Sequence, residues 1–149
     1  MDEKIWKIAI GGDHAGFRMK EYIKQVLELS NFKFEDYGTF SEESADYPDI
    51  AHPLSEAVHA DKFKFGILIC GSGNGMAIVA NKYRTIRAAI CWSEEIAKLA
   101  RTHNDANILV LPARFISQEQ AVCFSEIFLK TEFEGGRHQK RIEKISHLL

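Results

Sequence analysis

The sequence contains few cysteines, few prolines and no strong excess of either charge. Its three cysteines (Cys70, Cys91 and Cys123) are odd in number, widely separated and form no C-x-x-C pair. This pattern argues against a disulfide framework or a zinc site and indicates a reducing compartment. Three prolines beside ten glycines argue against low-complexity sequence. The formal net charge of −2 gives no global reason to expect nucleic acid or a membrane surface as the partner.

Long apolar runs are also missing. No run approaches the roughly 20 residues that span a bilayer, and the segment Met1–Lys4 lacks the basic start of a secretory signal. These absences predict a cytoplasmic protein. The 46% hydrophobic and 27% charged residues are typical of a soluble globular protein. The length fits one domain over residues 1–149.

Short β-rich runs alternate with amphipathic runs along the chain. Five runs predict strands: Ile5–Ile10, Phe32–Tyr37, Gly66–Cys70, Arg87–Cys91 and Ile108–Leu111. Helices are predicted from Phe17, over Ile50–Ala60, from Met76, after an N-cap at Ser93, after a capping box at Ser117–Gln120, and from about Arg137. The alternation predicts a parallel sheet with helices on both faces, in which ligands bind beyond the carboxyl ends of the strands.

The segment Cys70–Gly75 (CGSGNG) follows the third predicted strand and carries three alternate glycines. Its backbone N–H groups can converge on an anion at a helix N-terminus, although a tight turn that only needs glycine is the alternative. Met76 stands where a dinucleotide fingerprint requires glycine, and the loop has neither the P-loop Gly-Lys-Ser/Thr nor a G-x-S-x-G elbow. The pattern predicts an anion or oxyanion site that does not serve NAD, ATP or an acyl group.

Two predicted strand ends carry chemically active side chains. The Cys70 thiol, next to a helix N-terminus, can act as a base or nucleophile, although a cysteine at a buried strand end is often a small apolar filler. Asp13 and His14 lie in Gly11–Gly16 (GGDHAG), after the first strand. Asp13 would repel a pyrophosphate and suits sugar hydroxyls instead. The alternative is an Asp N-cap beside an exposed His.

The segment Arg101–Asn107 (RTHNDAN) places His103 and Asn104 between a helix and the fifth strand. This end of the helix lies away from the carboxyl ends of the strands, unless a neighbouring subunit presents it to them. A histidine at a helix C-terminus can also simply complement the helix dipole.

Arginines near the C-terminus are candidate phosphate ligands. Arg137 and Arg141 are spaced i,i+4 and share one helical face, and their planar forks suit phosphate oxygens. Residues 137–147 contain four Lys/Arg and one Asp/Glu, a local charge of +3. A solvated basic helix is the alternative. Arg114, after the fifth strand, is a further candidate. Taken together, these segments describe a site for a small phosphorylated polyol, with acid–base chemistry as the simplest reaction.

Six motifs, in register from the first strand to the last helix, resemble the type B ribose-5-phosphate isomerases. They are GGDHAGF at Gly11–Phe17, DYPD at Asp46–Asp49, ILICGSGNGM at Ile67–Met76, ANK at Ala80–Lys82, RTHNDAN at Arg101–Asn107 and EGGRHQKRI at Glu134–Ile142. The wider family also contains isomerases of allose 6-phosphate and galactose 6-phosphate.

The resemblance implies an α/β fold, namely a Rossmann-like three-layer sandwich with a five-stranded parallel sheet and a C-terminal helix. It also implies a homodimer or dimer of dimers with shared active sites, and no cofactor or metal. The implied reaction interconverts ribose 5-phosphate and ribulose 5-phosphate in the non-oxidative branch of the pentose phosphate pathway. Two alternatives stay open: an isomerase of a six-carbon aldose phosphate, and a non-catalytic sugar-phosphate binding module.

By similarity, Cys70 moves a proton between C1 and C2 through a cis-enediolate, with Ser72 near the reacting carbons, and His103 opens the furanose ring. Asp13 assists at a hydroxyl and His14 lies near the phosphate. The other substrate-binding residues implied by the resemblance are Tyr47, Gly71, Gly73, Asn74, Gly75, Asn104, Arg114, Arg137 and Arg141. Some family members carry glycine in place of the cysteine and use a glutamate after the loop. Here that later position is Met76, so the sequence resembles the cysteine-base members.

Overall fold

The computed structural model describes residues 4–146, which form five strands and six helices. The strands are β1 (Trp6–Gly12), β2 (Phe32–Asp36), β3 (Gly66–Cys70), β4 (Ala88–Ile90) and β5 (Ile108–Pro112). The helices are α1 (Phe17–Leu27), α2 (Tyr47–His59), α3 (Asn74–Ala80), α4 (Glu94–Thr102), α5 (Gln118–Lys130) and α6 (Arg137–Glu143). Strands and helices therefore alternate as the sequence predicts.

All five strands are parallel, in the order β2-β1-β3-β5-β4. The side chains of β3 alternate between two apolar cores: Ile67 and Ile69 pack with α1, α4 and α5, whereas Leu68 and Cys70 pack with α2 and α3. Burial on both faces explains the continuous apolar run of this strand. The predicted Rossmann-like three-layer sandwich with a C-terminal helix is confirmed. None of the helices within residues 4–146 has the length and apolar character that a bilayer crossing requires.

Two helix starts predicted from capping residues are confirmed. The Ser93 hydroxyl accepts the Ile96 N–H at 3.2 Å and begins α4. At α5 the capping box is complete, because the Ser117 hydroxyl accepts the Gln120 N–H at 3.0 Å and the Gln120 side chain accepts the Ser117 N–H at 2.8 Å. Each cap satisfies an N–H group that the helix cannot pair internally.

Several predicted boundaries were wrong, and three of these differences affect the site. β1 continues to Gly12, because Gly11 and Gly12 stay paired with Leu68 and Ile69 of β3. α2 begins at Tyr47 rather than Ile50, since a proline in the first helical turn loses no hydrogen bond. α3 begins at Asn74 rather than Met76, directly after the left-handed Gly73.

The remaining boundary differences are small. β1 begins at Trp6 rather than Ile5, β2 ends at Asp36 rather than Tyr37, β4 covers only Ala88–Ile90, and β5 continues to Pro112. α2 ends at His59 rather than Ala60.

Candidate active site

The carboxyl edge of the sheet brings Asp13 and Cys70 to neighbouring strand ends. Cys70 is the last residue of β3 and is 5% exposed. Asp13 follows β1, and its N–H donates to the Ile69 carbonyl at 3.1 Å. The Asp13 Oδ1 accepts the N–H groups of Ala15 and Gly16 at 3.0 and 3.2 Å. The carboxylate therefore closes the turn into α1, while its Oδ2 accepts no hydrogen bond from residues 4–146.

The glycine loop between β3 and α3 exposes backbone donors next to Cys70. Gly73 adopts φ +83°, a left-handed conformation that favours glycine. The Ser72 hydroxyl accepts the Asn74 N–H at 3.2 Å and closes the turn. Within the described chain, the N–H groups of Ser72 and Gly73 have no acceptor, so they are available to an anion.

Tyr47 and Arg114 flank this loop on two sides. A Cβ atom at Gly75 would lie 2.6–2.9 Å from three ring carbons of Tyr47, so the ring rests directly on the backbone there. The Arg114 N–H donates to the Gly71 carbonyl at 3.0 Å, and its guanidinium lies over Gly71. Both side chains are exposed, which leaves the phenol and the guanidinium accessible to a ligand.

His14 is held by the segment that leads into α2. Its Nδ1 lies 3.2 Å from the Ala45 nitrogen and 3.3 Å from the Ala45 oxygen, which leaves Nε2 available to a ligand. The structure therefore groups ten predicted site residues at one edge of the sheet. They are Asp13, His14, Tyr47, Cys70, Gly71, Ser72, Gly73, Asn74, Gly75 and Arg114.

A buried lysine beneath this edge was missed by the sequence analysis. Lys20 in α1 is fully buried, and its Nζ lies 2.5 Å from Asp36 and 2.7 Å from Glu21. Asp36 also accepts the Gly38 N–H at 2.8 Å, and Gly38 in turn accepts the Gly12 N–H at 2.7 Å. The ion pair thus supports the segment that lies beside the end of β1.

His103 and Asn104 lie at the opposite, amino edge of the sheet. His103 caps the C-terminus of α4, and the Asn104 carbonyl accepts the Arg87 Nε–H at 3.0 Å just before β4. The neighbouring Asn107 carbonyl accepts the N–H of Gly66, the first residue of β3. Cys70 is four residues further along that strand, so the height of the sheet separates the two ends by about 13 Å.

The C-terminal segment joins His103 at this amino edge. The Glu134 N–H donates to the Thr102 carbonyl at 3.1 Å, and the His138 ring stacks on His103 with centroids 4.2 Å apart. Arg137 and Arg141 are exposed on α6 beside His138. Glu134 and His138 are further residues of this edge that were not predicted, although their i,i+4 spacing within EGGRHQKRI is visible in the sequence.

The charges around His138 disfavour its protonated form. Partial burial and the nearby charges of His103, Arg137 and Arg141 lower the pKa of His138, against an opposite effect of Glu134. The neutral form of His138 is therefore favoured.

His103, Glu134 and His138 each offer one atom that could bind a metal ion, and these three atoms lie within 4.8 Å of one another. The two imidazole rings are nearly parallel, at 15°. Their in-plane lone pairs therefore run side by side rather than converging tetrahedrally on one ion. This arrangement fits a stacked pair of imidazoles beside one carboxylate better than a metal centre.

A pocket of about 690 Å³ also opens at the amino edge. Asn104 lines it together with three basic residues, Lys82, Arg84 and Arg87. At the carboxyl edge, Tyr47 and Arg114 lie against the loop that follows Cys70. In one chain, the predicted site residues thus form two separate halves.

Comparison with known proteins gives consistent matches over nearly the whole chain. The family model described as Ribose/Galactose Isomerase matches residues 8–145. Ribose-5-phosphate isomerase B of Escherichia coli is 42% identical over 140 residues, which cover 94% of each chain. A solved ribose 5-phosphate isomerase from Thermotoga maritima is 51% identical, with a TM-score of 0.93 over 96% of this chain and 99% of that one. Ribose-5-phosphate isomerase B from Mycoplasma genitalium, solved with bound ribulose-5-phosphate, is 39% identical with a TM-score of 0.91 over 97% of this chain and 96% of that one.

Proposed function

The chain belongs to the ribose/galactose isomerase family, and we propose that it interconverts D-ribose 5-phosphate and D-ribulose 5-phosphate through a cis-enediolate. It is an isomerase by this relationship. The observation that carries the proposed mechanism is the position of Cys70, a buried thiol at the root of a loop with unpaired N–H groups. A base and an oxyanion site thus lie side by side at the carboxyl end of β3.

In this mechanism Cys70 takes the proton from C2 of the open-chain aldose and returns it to C1. The α-proton of an aldehyde is weakly acidic, so the reaction needs stabilisation of the enediolate oxygens. The Gly71–Gly75 loop donates N–H groups to these oxygens, and each such donor contributes about 3 kcal/mol in the transition state. Ser72 lies at the same loop, and Asp13, at the neighbouring strand end, accepts a substrate hydroxyl through Oδ2. Tyr47 lines the site from the side of α2.

The ring of the sugar is opened by His103, which moves a proton to or from the ring oxygen. Arg137 and Arg141 bind the phosphate on the same side, with Asn104 next to them. His14 and Arg114 approach the substrate from the carboxyl edge. Phosphate binding far from the reacting carbons orients the sugar and supplies remote binding energy for the chemical step.

The active site therefore combines two copies of the chain in a homodimer, or in a dimer of dimers. Cys70 and His103 lie at opposite edges of the sheet in one chain, and β3 between these edges is about 13 Å long. The carboxyl edge of one protomer therefore meets the amino edge of its partner. Three large apolar side chains near the carboxyl edge support such a contact: Phe40, Trp92 and Phe115 are 71%, 57% and 75% exposed.

The proposal also includes the cellular compartment and the pathway of the enzyme. We place it in the cytosol, which the three free thiols of Cys70, Cys91 and Cys123 support. The reaction belongs to the non-oxidative branch of the pentose phosphate pathway. The 149 residues act as one sugar-phosphate isomerase domain.

A six-carbon aldose phosphate is the second candidate substrate, because the matching family also includes galactose isomerases by its description. A comparison of kcat/KM on ribose 5-phosphate, allose 6-phosphate and galactose 6-phosphate distinguishes the two. The highest kcat/KM is expected on ribose 5-phosphate. A higher value on either hexose phosphate would overturn the substrate assignment.

The base is tested with Cys70→Ala and a matched control, Cys123→Ala, at a thiol distant from the loop. Isomerisation in D2O is followed by NMR, because removal and return of the proton can introduce deuterium at the reacting carbons. Cys70→Ala is expected to lose isomerisation while keeping its melting temperature, and Cys123→Ala to retain it. Near-normal turnover in Cys70→Ala would remove Cys70 from the role of base.

A further inference from the structure

We propose that Glu134 is a positioning residue for the ring-opening step, holding His103 and His138 as a stacked pair that carries no more than one positive charge. This inference rests on the proposed role of His103. It assigns a task to two residues, Glu134 and His138, that the mechanism above does not use.

Glu134 is placed by its backbone before its side chain acts. Its N–H donates to the Thr102 carbonyl at 3.1 Å, which fixes the C-terminal segment against the end of α4. From this position a single carboxylate oxygen, Oε2, lies 3.7 Å from His103 Nε2 and 3.6 Å from His138 Nε2. One anionic oxygen thus faces the same nitrogen of both rings.

The stacked arrangement limits the pair to one positive charge. The ring centroids are 4.2 Å apart, so two imidazolium ions would repel each other at close range. The groups that face His138 are His103 on α4, Arg137 and Arg141 on α6, and Glu134 before α6; only Glu134 is anionic. The carboxylate balances one imidazolium, whereas the two arginines oppose a second.

A pair with at most one imidazolium suits ring opening, because this step needs a proton at the ring oxygen and the removal of another from the anomeric hydroxyl. His103 is 39% exposed in its side chain and accessible to a ligand, whereas His138 is 10% exposed. His103 therefore contacts the sugar, and His138, whose neutral form is favoured, stacks behind it. Glu134 acts only through this pair and does not touch the reacting carbons.

The matched pair of substrates is ribose 5-phosphate and 4-deoxyribose 5-phosphate. Without its 4-hydroxyl the second sugar cannot close a furanose, so it bypasses ring opening while retaining C1, C2 and the phosphate. Glu134→Gln is expected to lower kcat/KM on ribose 5-phosphate about tenfold, a part of the 10²–10⁴ that acid–base groups supply. On the 4-deoxy sugar the variant is expected to match the unsubstituted enzyme.

The exposed neighbour Glu132 provides the control, since Glu132→Gln makes the same change in charge two residues away. For this variant, kcat/KM on both sugars is expected to equal that of the unsubstituted enzyme. The His138 ring, followed by NMR titration, is expected to show a lower pKa in Glu134→Gln than in the unsubstituted enzyme, because the carboxylate that opposes the lowering is gone. Glu134→Asp is expected to recover part of the lost activity.

Two results would overturn the inference: an equal loss on both sugars in Glu134→Gln, or no loss on either. His103→Asn separates this from the proposed function. If kcat/KM of His103→Asn also falls equally on both sugars, the proposed ring-opening role of His103 is wrong. If kcat/KM on the 4-deoxy sugar is unchanged in His103→Asn but falls in Glu134→Gln, only the role proposed for Glu134 is wrong. The double variant Glu134→Gln/His103→Asn is expected to have the same kcat/KM on ribose 5-phosphate as His103→Asn alone.

Discussion

Replacing Asp36 by Asn removes a charge on which a fully buried lysine depends. The Lys20 side chain has no exposed surface, and the Asp36 carboxylate, 11% exposed, lies 2.5 Å from its Nζ. The side-chain oxygen of Asn can still accept the hydrogen bond from the Gly38 N–H, so the substitution removes the charge but not this acceptor. The effect on stability therefore comes mainly from the ion pair.

The expected loss follows from what remains around Lys20. Removing one partner of a buried ion pair costs about 3–5 kcal/mol. Glu21 stays 2.7 Å from the Lys20 Nζ with a half-exposed carboxylate, so part of the charge is still compensated. We expect the free energy of unfolding to fall by about 2–3 kcal/mol, and the melting temperature by about 4–12 °C.

The stability difference between the unsubstituted protein and Asp36→Asn is also expected to depend on pH. Burial opposes ionisation of Asp36, but hydrogen bonds from Lys20, Lys24 and the Gly38 N–H outweigh it and hold the pKa of Asp36 below its ordinary 3.8. A carboxyl whose pKa is lower in the folded state stabilises the fold above its unfolded pKa. That contribution is lost as the pH falls through the folded value. The gap between the unsubstituted protein and Asp36→Asn should therefore be full at pH 7 and shrink below about pH 3.8.

Urea unfolding at a fixed protein concentration, repeated from pH 7 down to pH 2.5, measures both effects. Glu35→Gln is the control, because this exposed neighbour in β2 loses the same charge and is expected to change stability by less than about 0.5 kcal/mol. A loss below that amount in Asp36→Asn, or a gap that stays constant down to pH 2.5, would refute this account of the buried pair.

Three further outcomes concern the site. Gly75→Ala should displace the Tyr47 ring, which a Cβ would meet at 2.6 Å, and raise KM; adding Tyr47→Ala should make the effects of the two changes less than additive. Arg141→Ala should raise KM for ribose 5-phosphate at least about tenfold, and inorganic phosphate should inhibit it more weakly than the unsubstituted enzyme. Ser72→Ala should lower kcat with little change in melting temperature, because the Ser72 hydroxyl is exposed. For each of these three positions, unchanged kinetic constants in the variant would contradict the role assigned to that residue.

Much of the architecture was predictable because local and tertiary signals agree. The run Gly66–Cys70 is apolar throughout and forms the buried central strand β3, and Ser117 with Gln120 forms the expected capping box. The end of β1 was not predictable, because pairing with β3 extends it through two glycines that carry no strand signal of their own. The start of α2 was missed because Pro48 was read as a boundary, although the first turn accommodates it.

The candidate site shows a similar division. Residues next to strand ends, such as Asp13 and Cys70, follow from the rule that parallel strands carry ligands at their carboxyl edge. The pairing of His103 with Glu134 and His138 depends on one hydrogen bond between residues far apart in the chain, from the Glu134 N–H to the Thr102 carbonyl. No local pattern in a single sequence encodes such a contact. The burial of Lys20 was missed because no local pattern predicts it: it depends on two carboxylates, of Glu21 and Asp36, that lie within ion-pair distance of its Nζ.

Complementation between two inactive variants tests the shared active site most directly. Cys70→Ala and His103→Asn are each expected to have little activity, since every site in either homodimer lacks one group. In a mixed dimer, one site carries both substitutions and the other carries neither. Co-expressed with different tags and isolated as the mixed dimer, the pair should regain about half of the activity of the unsubstituted dimer. If both groups came from the same chain, each site would keep one substitution, and a mixed dimer with no recovered activity would contradict the account.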